Sequence, residues 1–203
     1  MLDGELTVPT ASPGVVLFAH GSGSSRHSPR NRYVARVIQS SGLGTLLFDL
    51  LTREEEEEDA DSGRFRFDIQ LLAQRLVLAT QWISQRPETQ YLGIGYFGAS
   101  TGGAAALVAA AAVGVSVQAV VSRGGRPDLA RDALPYVSAP TLLIVGARDD
   151  LIVSLNQEAF AQLHCPKELF AVPRATHLFE EYGALEQVAS LASHWFHHHL
   201  RRR

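Results

Sequence analysis

Apolar residues follow two alternating rhythms along this chain. Short runs rich in β-branched, aromatic and leucine residues lie at Val15–Ala19, Thr45–Phe48, Tyr91–Phe97, Val117–Ser122, Thr141–Val145 and Glu168–Val172. Between them lie segments whose apolar residues recur at helical spacing, at Asn31–Ser40, Phe67–Gln85, Gly103–Val113, Ser154–Leu163 and Gly183–His199. Leu6–Val8 reads as a short edge strand. Near-continuous apolar strands alternating with helices predict an α/β fold: a mostly parallel sheet of six or seven strands with helices on both faces.

Two stretches break the rhythm. Glu54 to Glu58, followed by Asp59 and Asp61, is a run of like charges that repel one another, and it predicts a solvated loop after the second strand. Arg123 to Ser138 contains Pro127 and Pro135 and has no clear helical period. It predicts a short excursion in place of a cap, and hence a fairly open site.

Composition narrows the picture. The chain has 203 residues, 46% hydrophobic and 19% charged, which fits one domain over residues 1–203. No run approaches the roughly 18 to 20 apolar residues of a membrane span. The opening Met1-Leu-Asp-Gly-Glu5 lacks the basic start and apolar core of a signal peptide, so a soluble cytoplasmic protein without membrane contact is expected. A net charge of −3 offers no field for nucleic acid. The single cysteine, Cys165, has no partner for an intramolecular disulfide and reads as a half-buried structural thiol.

The chemistry gathers at strand ends. Gly98-Ala-Ser100-Thr-Gly102 lies between an apolar strand and an alanine-rich helix, and a serine at such a turn has its hydroxyl pushed out above the sheet. Asp149 follows the fifth long run in the turn Gly146-Ala-Arg-Asp149, and His177 follows the sixth in Pro173-Arg-Ala-Thr-His177. Each has a plainer reading: Ser100 and Asp149 could cap the helices that follow them, Asp150 competes with Asp149, and His177 could be an ordinary histidine. The order Ser, Asp, His at successive strand ends favours a nucleophile, an orienting acid and a general base. A tetrahedral oxyanion also needs preset donors. The backbone N–H of Thr101 would supply one, and that of Ser22, in the small-residue loop His20-Gly-Ser-Gly-Ser24, the other.

Arg26, His27, Arg30, Asn31, Arg123 and Arg126 follow strand ends and could meet an anionic group on a substrate, or could pair with Asp49, Asp128 or the acidic run. Of these, Arg123 is placed nearest the serine. Helical spacing puts His194 and His198 on one face, as a zinc pair could require, but no carboxylate or cysteine completes a set, so no metal is expected. The His and Arg residues of the C-terminus read as favourable charge at a helix end or as a frayed tail.

From Gly14 onward the chain resembles small serine α/β-hydrolases of the dienelactone hydrolase-like group. The likeness is carried by Phe18–Asn31, Asp49–Thr52, Gly98–Gly103, Val121–Asp128, Leu142–Gly146 and Ala175–Glu181. It also resembles the hydrolase segment joined to phosphoribosyltransferase-like domains in some bacterial proteins, and no such second domain is read here. The resemblance implies the triad Ser100, Asp149 and His177. Serine stands where true dienelactone hydrolases use cysteine, which counts against dienelactone itself as substrate. The expected activity is metal-independent and cofactor-free cleavage of a small ester through an acyl-enzyme. A thioesterase, amidase or acyltransferase using the same triad, or a non-catalytic binding protein on this fold, are the alternatives.

Overall fold

The computed structural model describes residues 1–203. Seven strands form one sheet in the order β1-β3-β2-β4-β5-β6-β7. They are β1 (Gly4–Thr7), β2 (Gly14–Ala19), β3 (Gly44–Phe48), β4 (Gly93–Ala99), β5 (Ala119–Arg123), β6 (Thr141–Gly146) and β7 (Lys167–Val172). Every pairing is parallel except that of β1 with β3. The edge strand expected at Leu6–Val8 therefore exists, two residues earlier, as the antiparallel edge.

The helices are α1 (Pro29–Ser40), α2 (Arg53–Ser62), α3 (Ile69–Gln85), α4 (Thr101–Val113), α5 (Asp150–Gln162) and α6 (Ala184–His199). Period-two alternation in the strands feeds two cores. Val15, Leu17 and Ala19 of β2 join residues of α3, α4 and α5, whereas Val16 and Phe18 join those of α1 and α6. The fold is thus the two-faced α/β sheet that the apolar runs predict. No helix is long and apolar enough to cross a membrane.

The acidic run is the main correction. It is not a loop but α2, because Thr52 and Glu55 form a reciprocal capping box and the acids of the first turn oppose the positive end of the helix dipole. Its one buried residue, Asp59, pairs with Arg66 and accepts the backbone N–H of Phe65 and Arg66. Burial works against the Asp59 charge, but these donors outweigh it and hold the carboxyl below its usual range. The proline-containing stretch also differs from expectation: Pro127–Tyr136 is wound into 3-10 turns.

Helix α4 has no polar face. Nine of its residues, from Thr101 to Ala110, are buried, and its alanines let it lie close between the sheet and α3. Cys165 is more buried than a half-exposed thiol, with Sγ 3.7 Å from Thr141 Oγ1. The C-terminal tail is tied down: the Arg203 N–H donates to the Tyr91 carbonyl and the Arg201 N–H to Gln118 Oε1. His194 directs Nδ1 to the Ser190 carbonyl at 2.7 Å.

Candidate active site

Strands β2 and β4 are neighbours, and the chain leaves β2 toward β3 on one side before returning to β4 on the other. The carboxyl ends of such a pair flank a crevice open to ligand. The loop His20–Ser25 leaves β2 here, and Ser100 follows β4.

Ser100 has φ 52° and ψ −119°, a backbone conformation that strains any residue with a Cβ. Three backbone hydrogen bonds hold it: its N–H donates to the Arg123 carbonyl, and its carbonyl accepts from Gly103 and Arg126. Gly102 is required by close approach, since a Cβ there would collide with the carbonyl oxygens of Ala19 and His20. The elbow is therefore clamped onto the end of β2. Ser100 occupies the N-cap position of α4, yet its side chain makes no capping hydrogen bond.

Asp149 repeats this arrangement at the start of α5. It sits at the N-cap without a capping bond, and its Oδ2 meets His177 Nδ1 at 2.7 Å. Asp150 is the first residue of α5 and is exposed. The loop carrying His177 packs against the Asp149 turn, with the Arg148 N–H donating to the Ala175 carbonyl at 2.9 Å. Beside His177, Thr176 is braced by Glu181, whose Oε1 accepts both its N–H (3.1 Å) and its hydroxyl (2.6 Å). The Thr176 hydroxyl in turn holds the Glu181 carboxyl below its usual range.

Ser100 and His177 converge on one turn without hydrogen-bonding to each other. The Arg123–Arg126 turn bonds to both backbone groups of Ser100, and the Cβ position of Gly124 lies 3.6 Å from His177 Cε1. With Nδ1 engaged by Asp149, Nε2 is the ring nitrogen left to face a reaction partner.

The loop His20–Ser25 lies directly against the Ser100 turn. The Cβ position of Gly21 is 3.2 Å from Ser100 Cβ. The Ser22 N–H donates to Thr101 Oγ1 at 2.8 Å. Thr101 opens α4, so its own N–H has no intrahelical acceptor.

His20 anchors the other side of the loop. Its Nε2 accepts the Leu50 N–H at 3.1 Å, which leaves Nδ1 protonated and 3.0 Å from the Gly21 carbonyl. Burial pushes its pKa below 6.5, against smaller opposing effects from Gly21 and Asp49. The unfolded chain therefore binds this proton at higher pH than the folded one, and the contribution of His20 to stability is lost as pH falls from 6.5 through the folded value. Thermal unfolding between pH 8 and 5 is expected to show a falling Tm, with a smaller fall in His20→Gln.

Of the cationic candidates, Arg26 pairs with Asp49, Arg30 with Glu180 at 3.1 Å, and Arg126 grips Asp128 with two bonds. Arg123 has no carboxylate partner. It is 8% exposed, its guanidinium carbon lies 5.9 Å from the centre of the Phe179 ring, and its Nη1 is buried without a hydrogen bond. Burial, with the charge of Arg30, pushes its pKa down to about 10, so it remains a cation at neutral pH. His27 and Asn31 serve local turns through their backbone N–H groups.

A cavity of about 540 Å³ opens beside the loop His20–Ser25. Its walls include Ser22, Ser24, Leu50, Glu56, Asp59 and Arg66, so α2 forms one side of it. Sequence reasoning missed this wall, although Thr52-Arg-Glu-Glu55 carries the capping-box spacing that would have revealed it.

The family model described as "Dienelactone hydrolase family" matches residues 2–198. A dienelactone hydrolase crystal structure from Anabaena variabilis is 64% identical, with a TM-score of 0.97 over 98% of this chain and 93% of that one. A putative phosphoribosyl transferase of Mycobacterium tuberculosis is 61% identical over 197 residues, which is 97% of this chain but 44% of the relative. The chain thus spans less than half the length of that relative. Est1E from Butyrivibrio proteoclasticus shares the fold at 14% identity, with a TM-score of 0.81 over 97% of this chain and 93% of its own. With the family model matching nearly the whole chain and a 64% identical structure covered almost end to end, the chain belongs to the dienelactone hydrolase family.

Proposed function

We propose that this chain is a serine hydrolase that cleaves small esters through an acyl-enzyme. Ser100 attacks the carbonyl, His177 accepts its proton and returns it to the leaving alcohol, and Asp149 fixes the ring tautomer and balances the imidazolium. The oxyanion forms where Ser22 meets Thr101, with the Thr101 N–H aimed at it from the start of α4. Water then repeats the sequence on the acyl-enzyme. The observation that carries this reading is that Ser100 and Asp149 both hold N-cap positions with their side chains withheld from capping, and Asp149 turns to His177 instead. Labelling by a fluorophosphonate, with the mass shift mapped to Ser100, and turnover of short p-nitrophenyl esters test it.

Arg123 supports a preference within that class. An unpaired buried guanidinium is costly unless an anion joins it, and the Ser100 N–H bonds to the carbonyl of this same residue. The preferred ester therefore carries a carboxylate or similar anion. Mono-p-nitrophenyl glutarate is expected to exceed p-nitrophenyl valerate in kcat/KM by about tenfold, the scale of one charge-assisted pair. Arg123→Met should erase the difference while raising thermal stability by about 1 kcal/mol, because it removes an uncompensated buried charge. An undiminished preference in that variant would remove Arg123 from substrate binding.

A further inference from the structure

The Ser22 amide, the second donor expected for the oxyanion, already has an acceptor. Thr101 Oγ1 takes it at 2.8 Å, across a sequence separation of 79 residues. Freeing that amide would require turning a β-branched side chain that is only 3% exposed, at the tip of a helix packed against β2. The hydroxyl has a second capacity, however. A threonine hydroxyl that accepts one hydrogen bond still donates its own hydrogen, and no protein atom in the structure accepts the one on Thr101.

Building on the serine hydrolase reading above, we propose that the Thr101 hydroxyl is itself an oxyanion donor, polarised by the Ser22 amide behind it. Thr101 then supplies two donors from one residue, its N–H and its O–H, and Ser22 acts through the second. No proton changes owner in this contact: the Ser100 proton goes to His177, while the Thr101 hydroxyl keeps its hydrogen and directs it at the developing negative charge. Accepting from an amide strengthens a hydroxyl as a donor, because chained hydrogen bonds polarise one another. The clamp that holds Gly102 against β2 keeps the donor aimed before substrate arrives, as such stabilisation requires.

Two substitutions separate this role from packing. Thr101→Val keeps the shape and loses the hydroxyl, whereas Thr101→Ser keeps the hydroxyl and loses a methyl. With p-nitrophenyl butyrate, Thr101→Val is expected to lower kcat about a hundredfold, the usual loss for one oxyanion donor, with KM changed less than about threefold. Thr101→Ser should stay within about threefold of the parent. Affinity for an aryl trifluoromethyl ketone, whose hemiketal presents an oxyanion, should fall in step with kcat/KM in the valine variant. Circular dichroism and Tm establish that each variant is folded. Equal losses in the valine and serine variants would overturn the proposal in favour of packing. A valine variant as fast as the parent, or faster, would overturn it by showing that the hydroxyl merely blocks the Ser22 amide. If the parent turns over no ester at all and resists fluorophosphonate, the hydrolase reading itself fails instead.

Discussion

Replacing Ser100 with alanine is expected to lower kcat for a short p-nitrophenyl ester by about 10⁴-fold or more, with Tm unchanged or slightly altered. The size follows from the proposed mechanism: without its nucleophile no acyl-enzyme forms, and only positioning and the oxyanion donors remain to assist water. Stability should hold because the Ser100 side chain makes no capping bond, so alanine removes no structural contact of that kind. Alanine also keeps the Cβ that the backbone at φ 52° already tolerates. Fluorophosphonate labelling should vanish in the same variant. Ester turnover by Ser100→Ala within tenfold of the parent would place the nucleophile elsewhere.

Asp149→Asn should be nearly as damaging, with a loss of about 10³- to 10⁴-fold in kcat/KM. The amide is almost isosteric but carries no charge, and it can present an N–H to His177 Nδ1 in place of an acceptor. The ring then takes the tautomer that puts its proton on Nε2, the nitrogen that accepts the Ser100 proton in the proposed mechanism. Because the 2.7 Å contact is the sole hydrogen bond of the Asp149 side chain, the loss is a direct reading of its effect on the imidazole. Asp150→Asn, one residue on and exposed at the first turn of α5, should stay within about twofold. The reverse ranking of the two variants would reassign the orienting acid.

The parallel sheet was legible because strands buried on both faces must be apolar throughout, and β2, β4 and β6 are buried at every position. Strand ends then located Ser100, Asp149 and His177, since the loops leave there. Helix starts are less legible: α5 begins at Asp150 rather than Ser154, α4 at Thr101 rather than Gly103, and α3 at Ile69 rather than Phe67. The first turn of α4, Thr101-Gly-Gly103, carries no apolar spacing. α2 was lost for a different reason. Charge density suggested a solvated loop, whereas the capping box and the bond from Arg66 to Asp59 decide the conformation locally. Which arginine keeps a free charge could not be read at all, because the partner of Arg30, Glu180, lies 150 residues away. The acceptor of the Ser22 amide was hidden by the same kind of long-range closure.

The helix that follows Ser100 is walled in by alanine, while the helix lining the cavity shows all but one residue to water. A methyl-sized change in the first would be felt as a displaced hydroxyl; a change of several atoms in the second would alter only what fits beside it. Descendants of this chain therefore have an unequal licence to drift: side chains along α2 can change at little risk, while the tightly packed tip of α4 stays frozen.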